Sequence, residues 1–125
     1  MRVLIVEDEL LIADYLAMVI EDAGHEVAGT AATAREALEI LEREAVDVAS
    51  LDVRLPGGMD GVQLASVLRQ RGGPPFLFVT GSGDPEFRAR CEAVKPQAIL
   101  QKPISPAVFL STLAAIAGRN ANATK

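Results

Sequence analysis

Apolar residues fall in short runs along the chain, and four of these runs stop abruptly at reactive polar groups. Val3-Leu4-Ile5-Val6 leads into Glu7-Asp8, and Val46-Asp47-Val48-Ala49-Ser50-Leu51 leads into Asp52. Phe76-Leu77-Phe78-Val79 leads into Thr80-Gly81, and Ala98-Ile99-Leu100-Gln101 leads into Lys102-Pro103. Runs of this length bounded by polar residues read as buried strands. A fifth, mixed run, His25 to Ala31, reads as an edge strand.

Between the strands the apolar period changes to that of a helix. Ile12, Tyr15, Leu16, Val19, Ile20 and Ala23 mark the buried face of a first helix, stopped by Gly24. Thr33 with Glu36 has capping-box spacing, followed by Ala34, Ala37, Leu38 and Leu41 on one face. Gly61, Leu64, Ala65 and Leu68 predict a third helix, ended by Gly72-Gly73-Pro74-Pro75. Asp84-Pro85 and Ser105-Pro106 open a fourth and a fifth helix, each with a capping residue before proline at the first helical position. Phe109, Leu110, Leu113, Ile116 and Ala117 form the inward face of the fifth.

Five strands alternating with five helices predict an α/β doubly wound (βα)5 sandwich of the flavodoxin-like kind, with helices on both faces of a parallel sheet. The second strand is expected at an edge. The first, third, fourth and fifth are expected to be central or covered. The order 2-1-3-4-5 follows, with its switch point between strands 1 and 3. Asp8 and Asp52 end those strands and are expected to lie closest together. One domain is expected over residues 1–119, with a short, polar, unstructured tail at 120–125.

Composition narrows the function classes. With 125 residues the chain has room for one core. No apolar run approaches the roughly 20 residues of a membrane span, and the apolar start is too short for a signal peptide. A cytoplasmic protein without membrane contact is expected. The net charge of −5 and the absence of tryptophan argue against direct nucleic-acid binding. The single cysteine, Cys91, excludes an internal disulfide and reads as a buried thiol.

In a parallel sheet, ligands bind beyond the carboxyl ends of the strands. That edge would gather Glu7, Asp8, Asp52, Thr80 and Lys102. Each alone has an ordinary explanation, such as a helix cap, a solvated charge or a strand-to-turn junction. Their joint placement points to chemistry. Clustered carboxylate oxygens suit Mg²⁺ or Mn²⁺. A carboxylate can attack phosphorus, while a lysine and a threonine hydroxyl stabilise phosphoryl oxygens. No Gly-x-x-x-x-Gly-Lys-Ser/Thr sequence is present, so a nucleotide P-loop is not supported.

Val3 to Glu9, Asp52-Val53-Arg54-Leu55-Pro56, Met59-Asp60-Gly61, Val79-Thr80-Gly81 and Gln101-Lys102-Pro103 together resemble the receiver domain of two-component response regulators. The likeness runs from Val3 to about Gly118. It implies that Asp52 is the phosphoacceptor, Thr80 the switch hydroxyl and Lys102 the phosphate-binding lysine. It implies a magnesium site of Asp8, Asp52, the backbone carbonyl of Arg54 and the acidic partner Glu7, and a cis Lys102-Pro103 bond. The implied role is that of a phosphoacceptor signalling protein, not a conventional enzyme. It would take its phosphoryl group from a sensor histidine kinase or a histidine phosphotransfer protein and would promote its own phosphorylation and dephosphorylation. With no output domain, it would relay phosphate, act as a sink or bind a downstream protein target. A homodimer through the fourth-helix, fifth-strand and fifth-helix face is a further arrangement known in the family; here that face carries Arg88, Arg90, Glu92 and Lys95.

Two departures stand out. Ile99 occupies the position where receivers carry an aromatic switch residue, and Phe78-Val79-Thr80-Gly81 with Ile99 is partly similar to the FAT GUY receivers. The loop after Asp52 has one extra residue, Gly57-Gly58. The alternative function is a phosphorylation-independent binding module on the same fold. A magnesium-dependent phosphohydrolase would need a second acid/base carboxylate near Asp52 and a cap insertion. A flavin site would be repelled by Glu7-Asp8.

Overall fold

The computed structural model describes residues 1–81 and 85–123, with side chains through residue 118. Its elements are β1 (Arg2–Val6), α1 (Leu10–Asp22), β2 (Glu26–Ala31), α2 (Ala34–Arg43), β3 (Val48–Asp52), α3 (Gly61–Gln70), β4 (Phe76–Thr80), α4 (Pro85–Ala93), β5 (Ile99–Gln101) and α5 (Pro106–Ala123). All strands are parallel, in the order β2-β1-β3-β4-β5. This is the flavodoxin-like sandwich expected from the alternation of strand and helix periods.

Strand pleating divides the core in two, because successive side chains point to opposite faces. Leu4, Val6, Ala49, Leu51, Phe76 and Phe78 pack with α2, α3 and Cys91 of α4. Val3, Ile5, Val48, Leu77 and Val79 pack with Leu16 and Ile20 of α1 and with Phe109, Leu113 and Ile116 of α5. Full burial of each large apolar side chain contributes about 1.5–3 kcal/mol. Both faces of β1, β3 and β4 are therefore gripped, and their carboxyl ends are held in fixed register. The thiol of Cys91 is pushed up by burial. No helix among the described residues is long and apolar enough to cross a membrane.

Several expectations change at the periphery. β5 lies at the far edge, as the predicted order requires, but is less covered than expected, with Ile99 and Leu100 half-buried and Gln101 exposed. Its apolar composition reflects one covered side and not a central position. Ala23 lies past the end of α1 and is exposed, and Tyr15 sits at the rim of the helix, 36 % exposed. Asn120 to Ala123 continue α5 rather than forming a loose tail. Asp84, expected to cap α4, lies outside the described residues.

The caps explain where two of the helices start. Glu36 N–H donates to Thr33 Oγ1, while the Glu36 carboxylate accepts from Ala32 N–H, one residue beyond the expected box partner. A complete capping box occurs at α3, where Asp60 and Gln63 exchange side-chain-to-backbone bonds of 2.8 Å in both directions.

Candidate functional site

Register and pleat assemble the site. Val6 is level with Leu51, Asp52 with Val79, and Thr80 with Gln101. The residues at or just beyond these ends are Glu7-Asp8, Asp52, Thr80 and Lys102, so all four strands deliver their polar groups to one edge. The alternation carried past the strand ends sends Glu7, Asp52 and Lys102 toward the α1/α5 side. Thr80 falls on the side of α3 and α4. A cleft of about 380 Å³ results, lined by Asp8, Glu9, Asp52, Arg54, Thr80, Gly81 and Lys102.

The charges are arranged asymmetrically. Lys102 Nζ lies 2.9 Å from Glu7 Oε1 and 3.6 Å from Asp52 Oδ2. Glu7 Oε1 is buried, and the lysine approaches it without good hydrogen-bond geometry, so the contact is chiefly electrostatic. The other Glu7 oxygen accepts the N–H of Glu9 at 3.1 Å. Glu9, not Asp8, occupies the cap position of α1, and it makes no side-chain cap bond. Asp8 is exposed and makes no hydrogen bond or ion pair among the described residues. It is therefore not consumed as a helix cap, the ordinary reading of such a residue.

Asp52 and Glu7 are both buried, the first 6 % and the second 3 % exposed. Burial, and then the charge and hydrogen bond of Glu7, push the Asp52 carboxyl up to about 7. The charge of Lys102 and the Arg54 N–H, which donates to Oδ1 at 3.4 Å, oppose the rise without cancelling it. For Lys102, burial works against the ammonium, but Glu7 and Asp52 outweigh it and the pKa rises. The carboxylate that acts on Asp52 is thus Glu7. Asp8, expected to lie closest to Asp52, does come within 4.8 Å of it, but the charge that raises the Asp52 pKa is that of Glu7.

The backbone around Asp52 is held tightly. Gly61 N–H donates to Val53 O at 2.9 Å. A Cβ on Gly61 would come within 1.8 Å of the Asp52 carbonyl oxygen, so α3 can start this close to β3 only with glycine there. Gly57 and Gly58, the extended loop after Asp52, have φ of 93° and 95°, a region other residues enter at a cost. Lys102 N–H donates to Thr80 O at 2.9 Å, which sets the two residues side by side. The Lys102-Pro103 bond is cis.

Ligand oxygens of Glu7, Asp8 and Asp52 all lie within 4.8 Å of one another. Three carboxylates so close, one of them with a strongly raised pKa, suit a hard divalent cation that would relieve their repulsion. Neither nitrogen nor sulfur donors belong to the cluster, which disfavours zinc. Sequence reasoning did not single out Glu9 as a lining residue. Nor did it find the Asp60–Gln63 box, although the Asp-x-x-Gln spacing was available to show it.

A family model of the response regulator receiver domain matches residues 3–114. The chain belongs to that family. Receiver domains are typically phosphoacceptor signalling modules, and a histidine kinase partner is implied for them. The Mycobacterium tuberculosis transcriptional regulatory protein PdtaR is 34% identical over 104 residues, covering 83% of this chain and 50% of that protein. The chain thus spans about half the length of this relative. The receiver domain of a modulated diguanylate cyclase from Desulfovibrio desulfuricans superposes with a TM-score of 0.89 at 31% identity, covering 94% of both chains. A CheY-like receiver domain protein from Methanospirillum hungatei gives 0.86 at 29% identity, covering 97% of both. In this receiver domain the acidic pocket consists of Glu7, Asp8 and Asp52.

Proposed function

We propose that the protein accepts a phosphoryl group on Asp52 from a histidine kinase or histidine phosphotransfer protein and answers with a changed protein-binding surface. The observation that carries this reading is the gathering of the Glu7, Asp8 and Asp52 carboxylates within 4.8 Å at a cleft that Asp8, Asp52, Thr80 and Lys102 line. An Asp52 carboxylate oxygen attacks phosphorus, and the O–P bond forms as the P–N bond of the phosphohistidine breaks. The electron pair of that bond stays on the imidazole nitrogen. Lys102, held by Glu7 beside the acceptor, supplies a fixed positive charge to the phosphoryl oxygens. Thr80 offers a hydroxyl from the α3/α4 side. Glu7, Asp8, Asp52 and the Arg54 carbonyl would hold Mg²⁺, with Mn²⁺ as a substitute. A cation held there would neutralise the clustered carboxylates and offset charge on the transferring oxygens.

The donor protein would seat beside the cleft on α1. A groove of about 540 Å³ lined by Leu11, Ile12, Tyr15, Lys102, Pro103 and Ile104 opens there, and Leu11 is 84 % exposed. Because Lys102 borders both groove and cleft, a protein in the groove lies next to the reacting carboxylate. The charged face of α4 gives a homodimer less support. Arg88 pairs with Glu92 in the same helix at 3.1 Å, and Arg90 pairs with Asp60 at 2.9 Å.

The test is intact mass after incubation with a small acyl-phosphate donor, with and without Mg²⁺, beside Asp52→Ala. A Mg²⁺-dependent phosphoryl adduct lost in the variant is the expected result. No adduct from that donor or from phosphohistidine proteins would leave the phosphorylation-independent module.

A further inference from the structure

α4 has little core of its own. Cys91 is its buried residue, and Phe87 is its one other large apolar side chain, half-buried. Its attachment therefore depends on a few nameable contacts. At the C-terminal end, Arg69 of α3 donates to the carbonyls of Val94, at 2.8 Å, and Lys95. Toward the N-terminal end, Phe87 is flanked by two guanidinium groups, with Arg54 4.5 Å and Arg90 5.6 Å from the ring centroid. Arg90 is neutralised by Asp60, the cap of α3. Arg54 pairs with no carboxylate among the described residues.

Arg54 also belongs to the site. It follows Asp52 by two residues, donates its N–H to the Asp52 carboxylate and lines the cleft. A continuous path runs from Asp52 through Arg54 and Phe87 to α4. Ile99 packs on the same side of the sheet as Phe87 but carries no ring to turn. An exposed guanidinium gains only modestly from an aromatic face, whereas charge-assisted, bidentate bonds to phosphoryl oxygens are stronger.

We infer that Arg54 and Phe87 form a clasp through which the charge of the cleft is read at α4. Arg54 stacks on Phe87 while Asp52 is unmodified. It turns to the phosphoryl oxygens once Asp52 is phosphorylated, releasing the N-terminal half of α4 while Arg69 retains the C-terminal end. This inference rests on the proposed phosphorylation of Asp52.

Hydrogen exchange of the α4 amides, read on protein with and without the mass-verified adduct, tests it in wild type, Arg54→Gln and Phe87→Leu. Wild-type α4 should exchange about fivefold faster once phosphorylated, the size expected for losing one exposed cation–π contact. Both variants should show that faster exchange before phosphorylation, with less than a further twofold change after it, while α2 amides stay unchanged. A purely structural role for Phe87 would speed α4 in Phe87→Leu and leave Arg54→Gln like wild type, which would overturn the clasp. So would an equal phosphorylation response in all three proteins. Absence of an adduct in wild type would overturn the phosphorylation reading itself, and the link with it. An adduct without any change at α4 would overturn the link alone.

Discussion

Lys102 reaches Glu7 at 2.9 Å and lies 3.6 Å from Asp52, so the strand-end ammonium is anchored on the neighbour of Asp52. Glu7 thereby does two things. It positions the cation, and it raises the Asp52 pKa by repulsion and a hydrogen bond. Replacing Glu7 with Gln removes that repulsion and frees Lys102 to move to Asp52. The Asp52 carboxyl should then titrate below its starting value of about 7, while burial, the largest cause of the rise, still holds it above the ordinary carboxylate range. Carbon-13 NMR titration without divalent cations reads this directly.

Asp52 also ties stability to pH. The folded protein keeps a proton on Asp52 between the ordinary value of 3.8 and about 7, where the unfolded chain has released it. The folded state binds more protons in that window, so stability falls as pH rises through it. Asp52→Asn escapes the cost. Without divalent cations it should be more stable than wild type at pH 8 by about 4 kcal/mol, with the gain gone below about pH 4. Urea unfolding at several pH values checks this, and Mg²⁺ should shrink the gain at neutral pH by stabilising wild type.

Gly61 is a steric requirement of the site. The methyl of Gly61→Ala would collide with the Asp52 carbonyl, and neither β3 nor α3 can yield freely because both are packed. A loss of about 2 kcal/mol or more is expected, within the range for overpacking. Adduct formation on the remaining folded protein should slow, because the displaced backbone carries Asp52.

Leu11 separates donor docking from chemistry. It is almost fully exposed and contributes little to folding. Leu11→Glu should lower phosphoryl transfer from a phosphohistidine protein by about tenfold, a loss of about 1.4 kcal/mol at the groove. Labelling by a small acyl-phosphate donor should match wild type. Parallel rate measurements with both donors distinguish the two effects.

The strand ends were legible because each apolar run stops at a polar residue and parallel register then aligns the stops. Sheet order was legible from the mixed composition of Glu26–Ala31 at one edge. The predicted order placed strand 5 at the far edge, but its coverage was overread, because Ile99 and Leu100 look the same whether one side or both are covered. The pairing of Lys102 with Glu7 was missed because it depends on which way each residue points past the strand end. The Arg54–Phe87 contact joins a loop to a helix 33 positions later by the numbering, and neither residue type announces it.

The most direct test of the central claim is chemical marking of the acceptor. Protein treated with Mg²⁺ and a small acyl-phosphate donor is reduced with borohydride, which converts an aspartyl phosphate to homoserine, and then mapped by peptide mass. Homoserine at position 52, absent when Mg²⁺ is withheld, is the expected result. Homoserine at Asp8 or at another carboxylate, with Asp52 unchanged in fully labelled protein, would contradict the assignment.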